Sequence, residues 1–310
     1  MYSEFSLIEF IKNSQPTLPE HIEGIGDDCA IIKNEIREQS TVEQVITCDT
    51  MVENVHFIRK AIKPYELGRK AAATNLSDIA AMGAKPEAMI LALAIPSGLS
   101  NEYLEELING VNSWGIPLIG GDTTKAPEHL VITITAIGKA QSKHIKRRAD
   151  AEVGDTIYLS GIIGDSAAGL HAILNNTNGP TTLISAHNNP TPHLEIAAEL
   201  ATQKQVHAMM DVSDGLASDL LHILKASNVA ADVETDKLPL SEMFTLYCSQ
   251  QNLDPTELAA TGGEDYVLLF TANEQPICKQ KIYPIGKIKE GSPHINWIGN
   301  DITKKGFTHF

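Results

Sequence analysis

Apolar residues recur along this chain with two periods, near 3.6 and near 2, and the repeated switch between them predicts an α/β protein. Phe5, Ile8 and Ile11 stand at helical spacing and predict a short amphipathic helix over residues 4–12. Gly24-Ile-Gly26-Asp27-Asp28 then breaks the chain before an apolar strand over 29–32, and a second strand over 45–48 ends on Asp49. From 65 to 82 the pattern is helical, with Ala72, Leu76 and Ile79 on one face and Gly83 as the C-terminal cap. A buried strand over 89–95 stops at Pro96, a helix follows over 101–114, and a short strand over 117–119 runs into Gly120-Gly121-Asp122. Over 130–137, Ile132, Ile134 and Ala136 alternate with Thr133 and Thr135, the mark of a half-buried strand.

Past that strand the composition changes. Lys139, Lys143, Lys146, Arg147 and Arg148 fall together without an acid, in a chain that is otherwise acidic. This stretch predicts the junction between two domains, 1–140 and 148–310, in keeping with 310 residues at a typical ~100–200 per domain. The alternation then resumes with a strand over 156–159, a helix after Gly161-Ile-Ile-Gly164-Asp165, a helix from His193 and a strand near Met209. Asp211-Val-Ser213-Asp214-Gly215 opens a helix that runs to Ser227, and strands over 229–233, 266–271 and 282–288 complete the pattern.

Composition narrows the function classes. Hydrophobic residues make up 43% and charged residues 20%, which excludes a disordered or fibrous chain. The 24 Lys+Arg against 39 Asp+Glu give a net charge of −15, which disfavours non-specific binding to nucleic acid or to an anionic membrane surface. The longest strictly apolar run, 88–95, is far below the ~18 residues of a spanning helix, and Glu4 stands where a secretory signal would carry bases. Cys29, Cys48, Cys248 and Cys278 form no close pair, so neither a zinc ribbon nor a disulfide framework is expected. A soluble cytoplasmic protein without nucleic-acid or membrane partners is the expectation.

The chemistry is carried by Asp residues placed beside small residues at the ends of apolar segments. They stand in Gly26-Asp27-Asp28, Cys48-Asp49-Thr50, Leu76-Ser77-Asp78, Gly121-Asp122-Thr123, Asp211-Val-Ser213-Asp214-Gly215 and Gly263-Glu264-Asp265. Strand ends and helix starts are where an α/β fold gathers ligand-binding groups. Converging carboxylates need positive charge between them, and Mg²⁺ takes carboxylate oxygens while sharing its sphere with substrate phosphates. Taken singly, Asp28, Asp49 and Asp122 also read as turn or cap residues, and capping explains Asp214 as well as metal binding does. Asp78 differs, because it falls inside a helix, where Asp is a poor former, among Ala71, Thr74 and Asn75. No G-x-x-x-x-G-K-[ST], H-R-D or D-F-G motif occurs, which excludes P-loop and protein-kinase designs. Gly24-x-Gly26 lacks a third glycine and a preceding strand, and residues 211–215 are too short for an EF-hand loop. Cys29 and Cys48 read as small buried hydrophobes, and His56 on local grounds as an ordinary histidine. The basic stretch ending at Arg148 reads as a solvated linker or, through Arg, as a phosphate ligand.

Together the motifs resemble the thiamine-monophosphate kinases of the aminoimidazole-ribonucleotide-synthetase-like superfamily. The resemblance runs nearly end to end: Glu4-Phe-Ser-Leu-Ile8, Gly24-Ile-Gly-Asp-Asp-Cys-Ala30, Asp49-Thr-Met, Asn54-Val-His56-Phe57, Asn75-Leu-Ser-Asp-Ile-Ala-Ala-Met-Gly-Ala84, Leu118-Ile-Gly-Gly-Asp-Thr-Thr124, Gly164-Asp-Ser-Ala-Ala-Gly-Leu170, Asp211-Val-Ser-Asp-Gly-Leu216, Thr261-Gly-Gly-Glu-Asp-Tyr266 and Lys305-Gly-Phe-Thr-His-Phe310. It implies an α/β (α+β) two-domain synthetase-like fold. The N-terminal domain would form a β-barrel shared across a homodimer, and the C-terminal α/β domain would have a mixed sheet and flanking helices. It implies ATP-dependent phosphorylation of thiamine monophosphate to thiamine diphosphate, with ATP as co-substrate and several Mg²⁺ ions. Asp28, Thr47, Cys48, Asp49, Asp78, Asp122, Asp211 and Asp214 match its metal positions. The family commonly has a hydroxyl residue where Cys48 stands, so a backbone carbonyl is expected to serve there. Gly121, Asp122, Arg148 and Ser213 match ATP contacts, and His56, Glu264 and Phe307 match contacts to thiamine. No catalytic base is implied. The rival readings are a sister ATP-dependent synthetase with another acceptor and a non-catalytic nucleotide or metal sensor.

Overall fold

The computed structural model describes residues 3–14, 16–33, 42–177, 179–302 and 306. Helix α1 (Glu4–Ser14) leads into strands β1 (Ile22–Glu23), β2 (Ala30–Ile32) and β3 (Val42–Val52), followed by helix α2 (Pro64–Ala81) and strand β4 (Lys85–Ile95). Helix α3 (Asn101–Asn112) then crosses to β5 (Leu118–Lys125), and β6 (Val131–Gln141) returns through the middle. These strands make one sheet in the order β1-β2-β3-β6-β4-β5, antiparallel except for the β4–β5 pair that α3 connects. The predicted alternation in β6 holds: Ile132, Ile134 and Ala136 are buried in the core under α2 and α3, while Thr133 and Thr135 lie on the opposite, outer face.

A second sheet carries the rest of the chain. Its elements are β7 (Thr156–Leu159), α4 (Asp165–Leu174), α5 (Thr181–Asn188), α6 (Leu194–Ala201), β8 (Val206–Asp211) and α7 (Leu216–Ser227), then β9 (Ala230–Glu234), α8 (Glu242–Gln251), α9 (Pro255–Thr261), β10 (Leu268–Ala272), β11 (Tyr283–Lys289) and β12 (Ile295–Ile298). The order is β12-β9-β11-β7-β10-β8, with β12–β9 parallel and the other pairs antiparallel. One face, through Ile157, Leu159 and Leu269, packs on α4, α5, α7, α8 and α9; the other, through Tyr158, Met209 and Phe270, packs on α6 and the end of α2. This is a two-domain α/β fold with mixed sheets and flanking helices.

Helix α2 holds the two halves together. Pro64 at its first turn and the Lys63 N–H, donating to Glu66 Oε2 at 3.4 Å, start it, and Gly83, at φ +67°, ends it. Its small residues let both sheets approach: Ala71 and Ala72 lie in the first core, Ala80 and Ala81 in the core shared with the second sheet. Gly68 and Gly110 let α2 and α3 touch backbone to backbone, since a Cβ on Gly68 would stand 1.9 Å from the Leu107 carbonyl oxygen.

Three expectations are corrected. β3 continues to Val52, so Asp49 lies inside a strand, because its ladder with β6 runs unbroken from the Val42–Gln141 pair to the Val52–Val131 pair. β5 extends through Gly120-Gly121-Asp122 to Lys125, held by its parallel ladder to β4, which overrides the poor strand propensity of Gly and Asp. The basic stretch is no solvated linker. Ile145 and Lys146 are buried, Lys146 Nζ donates to the carbonyls of Gln203 (3.1 Å) and Val206 (2.6 Å), and Arg147 pairs with Glu23.

Candidate active site

The polar residues of α2 form a stripe on an otherwise apolar helix: Lys70, Thr74, Ser77 and Asp78 recur at helical spacing and face the seam between the two sheets. Asp78, in the last turn, meets Asp28 from the turn before β2 and Asp211 from the end of β8. One carboxylate oxygen of each lies within 4.8 Å of the others. Thr47 Oγ1 donates to Asp78 Oδ2 at 2.5 Å, and Ser77 Oγ donates to Asp211 Oδ2 at 2.6 Å. Asp49 joins them from β3, its backbone N–H held at 3.0 Å by the Asn75 side-chain oxygen. Burial pushes Asp78 and Asp211 well above the ordinary aspartate range, and the surrounding carboxylates push them further. Asp49 is raised by burial and then by Asp28. Arg148 supplies the counter-charge. Its guanidinium donates to both oxygens of Asp28, at 2.8 and 3.3 Å, and despite burial Asp28 and Asp211 keep it protonated.

The donor set fits a hard divalent cation. Its ligand atoms are carboxylate and hydroxyl oxygens, drawn to one point and mutually repelling. Cys48 stands apart: strand alternation puts its exposed side chain on the outer face with Thr133 and Thr135, away from Thr47 and Asp49. Asp122 is on that outer face too, exposed on β5 opposite Ala92, and not in the buried cluster. Gly121 beside it is required by close approach, since a Cβ there would stand 1.8 Å from the Leu91 carbonyl oxygen.

Ser213 and Asp214 form the loop after β8, with Gly215 rather than Asp214 at the N-cap of α7. The N–H groups of both donate to Asp219 Oδ2, at 3.0 and 3.1 Å, so a buried carboxylate inside α7 shapes this loop. Glu264 sits beside it, its N–H donating to the Ser213 carbonyl at 2.7 Å and its backbone left-handed at φ +63°. Burial raises the Glu264 carboxyl, yet Lys70, His187 and His56 outweigh burial and hold it below the ordinary glutamate value. His56 follows β3, and its Nδ1 accepts the Val52 N–H at 3.0 Å, which leaves the Nε2 position for the proton of the neutral ring. Phe307 lies outside the described residues. Its neighbour Gly306 returns the chain to the same loop, where a Cβ would meet the Asp214 carbonyl oxygen at 2.5 Å.

Sequence reasoning missed Lys70, His187 and Asp219. For Lys70 the signal was present as a charge in step with Thr74 and Asp78 on a small-residue helix. For His187 and Asp219 local sequence offers none, since each acts through partners distant in the chain or set by the loop's turn.

The model for AIR synthase related protein, N-terminal domain, matches residues 26–140, and that for its C-terminal domain matches 152–296. The thiamine-monophosphate kinase of Haemophilus influenzae is 40% identical, covering 99% of this chain and 98% of that protein. That of Buchnera aphidicola subsp. Acyrthosiphon pisum is 36% identical, covering 100% and 99%. The solved structure of AaThiL complexed with AMPPCP and TMP superposes with a TM-score of 0.89 at 32% identity, covering 99% of this chain and 97% of that one.

Proposed function

This chain belongs to the thiamine-monophosphate kinases of the AIR synthase related family, and from that premise we propose how its residues perform the reaction. The enzyme phosphorylates thiamine monophosphate with ATP, giving thiamine diphosphate and ADP. The observation that carries the reading is the oxygen cluster of Asp28, Asp78 and Asp211 at the seam of the two domains.

The acceptor is a phosphate monoester with a second pKa near ~6, already largely dianionic at neutral pH, so no side chain has to remove a proton. The difficulty is bringing two polyanions into line. Asp28, Asp49, Asp78 and Asp211, with Thr47 beside them, would hold Mg²⁺, while Cys48 contributes its backbone carbonyl, since its thiol is on the other face. Asp214, in the loop after β8, and Asp122, exposed on the outer face of β5 and apart from the buried cluster, are assigned to Mg²⁺ binding as well. Bound there, the ions supply charge neutralisation and orientation of phosphate oxygens. Arg148 offers its planar fork to the ATP phosphates, and Ser213 and the Gly121 backbone contact the nucleotide. Glu264, kept anionic, faces the cationic thiazolium, with His56 beside it and Phe307 offering an aromatic face.

A homodimer completes the proposal. The outer face of the first sheet exposes Ile90 and Ile119 around Cys48 and Asp122, and a second copy laid on that face would close the two sheets into a barrel. The working units divide at 140–148, and the setting is the cytoplasm. Among the described residues no helix is long and apolar enough to cross a membrane.

The test is chromatography of products from ATP, thiamine monophosphate and Mg²⁺, with controls lacking metal or acceptor. Equal thiamine diphosphate and ADP, formed only with everything present, is expected. ADP without thiamine diphosphate would point to a sister synthetase, and ATP binding without either product to a sensor.

A further inference from the structure

Lys70 is fully buried, and a buried ammonium persists in a folded protein only where partners receive it. Its Nζ lies 2.9 Å from Glu264 Oε2 and 3.3 Å from His187 Nε2. An ammonium only donates, so Nε2 must offer a lone pair, and the histidine proton is on Nδ1. That Nδ1 is 3.1 Å from the same Glu264 Oε2 and 3.2 Å from Ser166 Oγ. Lys70 Nζ thus donates to one oxygen of Glu264 with the buried His187 ring alongside, while the glutamate side chain itself remains 24% exposed. The backbone is held as firmly: Glu264 is left-handed and bonded to Ser213, and a Cβ on the preceding Gly263 would stand 2.3 Å from the Ser213 carbonyl oxygen.

We propose that Lys70 is a positioning residue for thiamine recognition: from the first domain it orients and charges Glu264 of the second, the carboxylate that meets the thiazolium. The inference rests on that role of Glu264. A pair kept for stability alone is replaceable by apolar residues, whereas orientation of a carboxylate aimed at a cation is not. Lys70 also shares α2 with Asp78, eight positions on. A helix rise of ~1.5 Å per residue sets their separation along the axis at about 12 Å. The helix thus spaces the substrate-facing carboxylate from the metal cluster.

The experiment is steady-state kinetics of Lys70→Met, Glu264→Gln and the double variant, with kcat and KM measured for each substrate and folding checked by thermal melts. Lys70→Met should raise KM for thiamine monophosphate roughly ten- to hundredfold, the scale of losing a hydrogen bond to a charged group, and leave that for ATP unchanged. Adding Lys70→Met to Glu264→Gln should cause no further rise, because the lysine acts through the glutamate. If Lys70→Met alone does not fold, the double variant, free of an unpaired buried charge, still decides by comparison with Glu264→Gln. An equal fall in affinity for both substrates, or an unchanged KM for thiamine monophosphate in Lys70→Met beside a raised one in Glu264→Gln, would overturn the inference. An unchanged KM in Glu264→Gln would instead locate the failure in the role of the glutamate and take the inference with it.

Discussion

Single side chains divide here into those proposed to hold ligand and those that hold other side chains. Asp49→Asn or Asp122→Asn should lower turnover roughly 10²–10³-fold, on the scale of losing one preorganised electrostatic group. The fold should survive, so circular dichroism should be unchanged, and the metal-free Asp49→Asn protein should melt no earlier than wild type, because a repelling buried charge is gone. Unchanged Mg²⁺-dependent turnover in either variant would count against the assignment. His187 makes a different prediction. Burial, then Lys70, depress it to about 4, while its unfolded value is about 6.5. The folded state binds fewer protons between those values, so the contribution is complete above pH ~6.5 and is lost as pH falls toward ~4, about 3 kcal/mol in all. From pH ~6.5 to ~4 the denaturant midpoint of wild type should drop relative to that of His187→Gln, a difference that separates His187 from the buried aspartates, whose raised pKa values act in the opposite sense. Equal slopes would show that His187 is not held neutral. At this scale the sequence was most legible where a residue broke a local rule. Asp78 inside a helix was such a case, whereas His187 sits in an ordinary amphipathic turn and gave no sign.

Elements were legible where their own periodicity decided them. β6 and α2 follow directly from the spacing of Ile132, Ile134, Ala72, Leu76 and Ile79. The ends of β3 and the whole of β5 were not, because Asp49, Gly120, Gly121 and Asp122 are in strands through pairing with residues far along the chain. Helices α8 and α9 were missed for want of a strong apolar stripe, though the capping residues Ser241 and Asp254, the latter followed by Pro255, marked their starts. The α2–α3 contact carries the sharpest element-scale prediction. A methyl on Gly68 would meet the Leu107 carbonyl oxygen at 1.9 Å and the Val111 backbone nitrogen at 2.9 Å, so Gly68→Ala should lower stability by about 2–3 kcal/mol in urea unfolding. A loss below measurement error would mean that the helices are not in backbone contact.

For the whole molecule, the buried cluster draws ligands from β2's turn, β3, α2 and β8, so the site exists only when both domains are packed on α2. The fold class and the family motifs were readable along the chain; the convergence was not, because it depends on how α2 is enclosed. The outer face of the first sheet exposes Ile119 at 62%. Ile119→Asp should convert the proposed dimer to a monomer in sedimentation velocity, and an unchanged sedimentation coefficient at dimer mass would place the interface elsewhere. The central claim, direct transfer from ATP to thiamine monophosphate, is tested most directly with ATP labelled in its γ-phosphorus. With thiamine monophosphate and Mg²⁺ present, the label should appear in the terminal phosphate of thiamine diphosphate in one-to-one ratio with ADP, and nowhere when metal is removed. Label released as inorganic phosphate, with thiamine monophosphate untouched, would contradict the account.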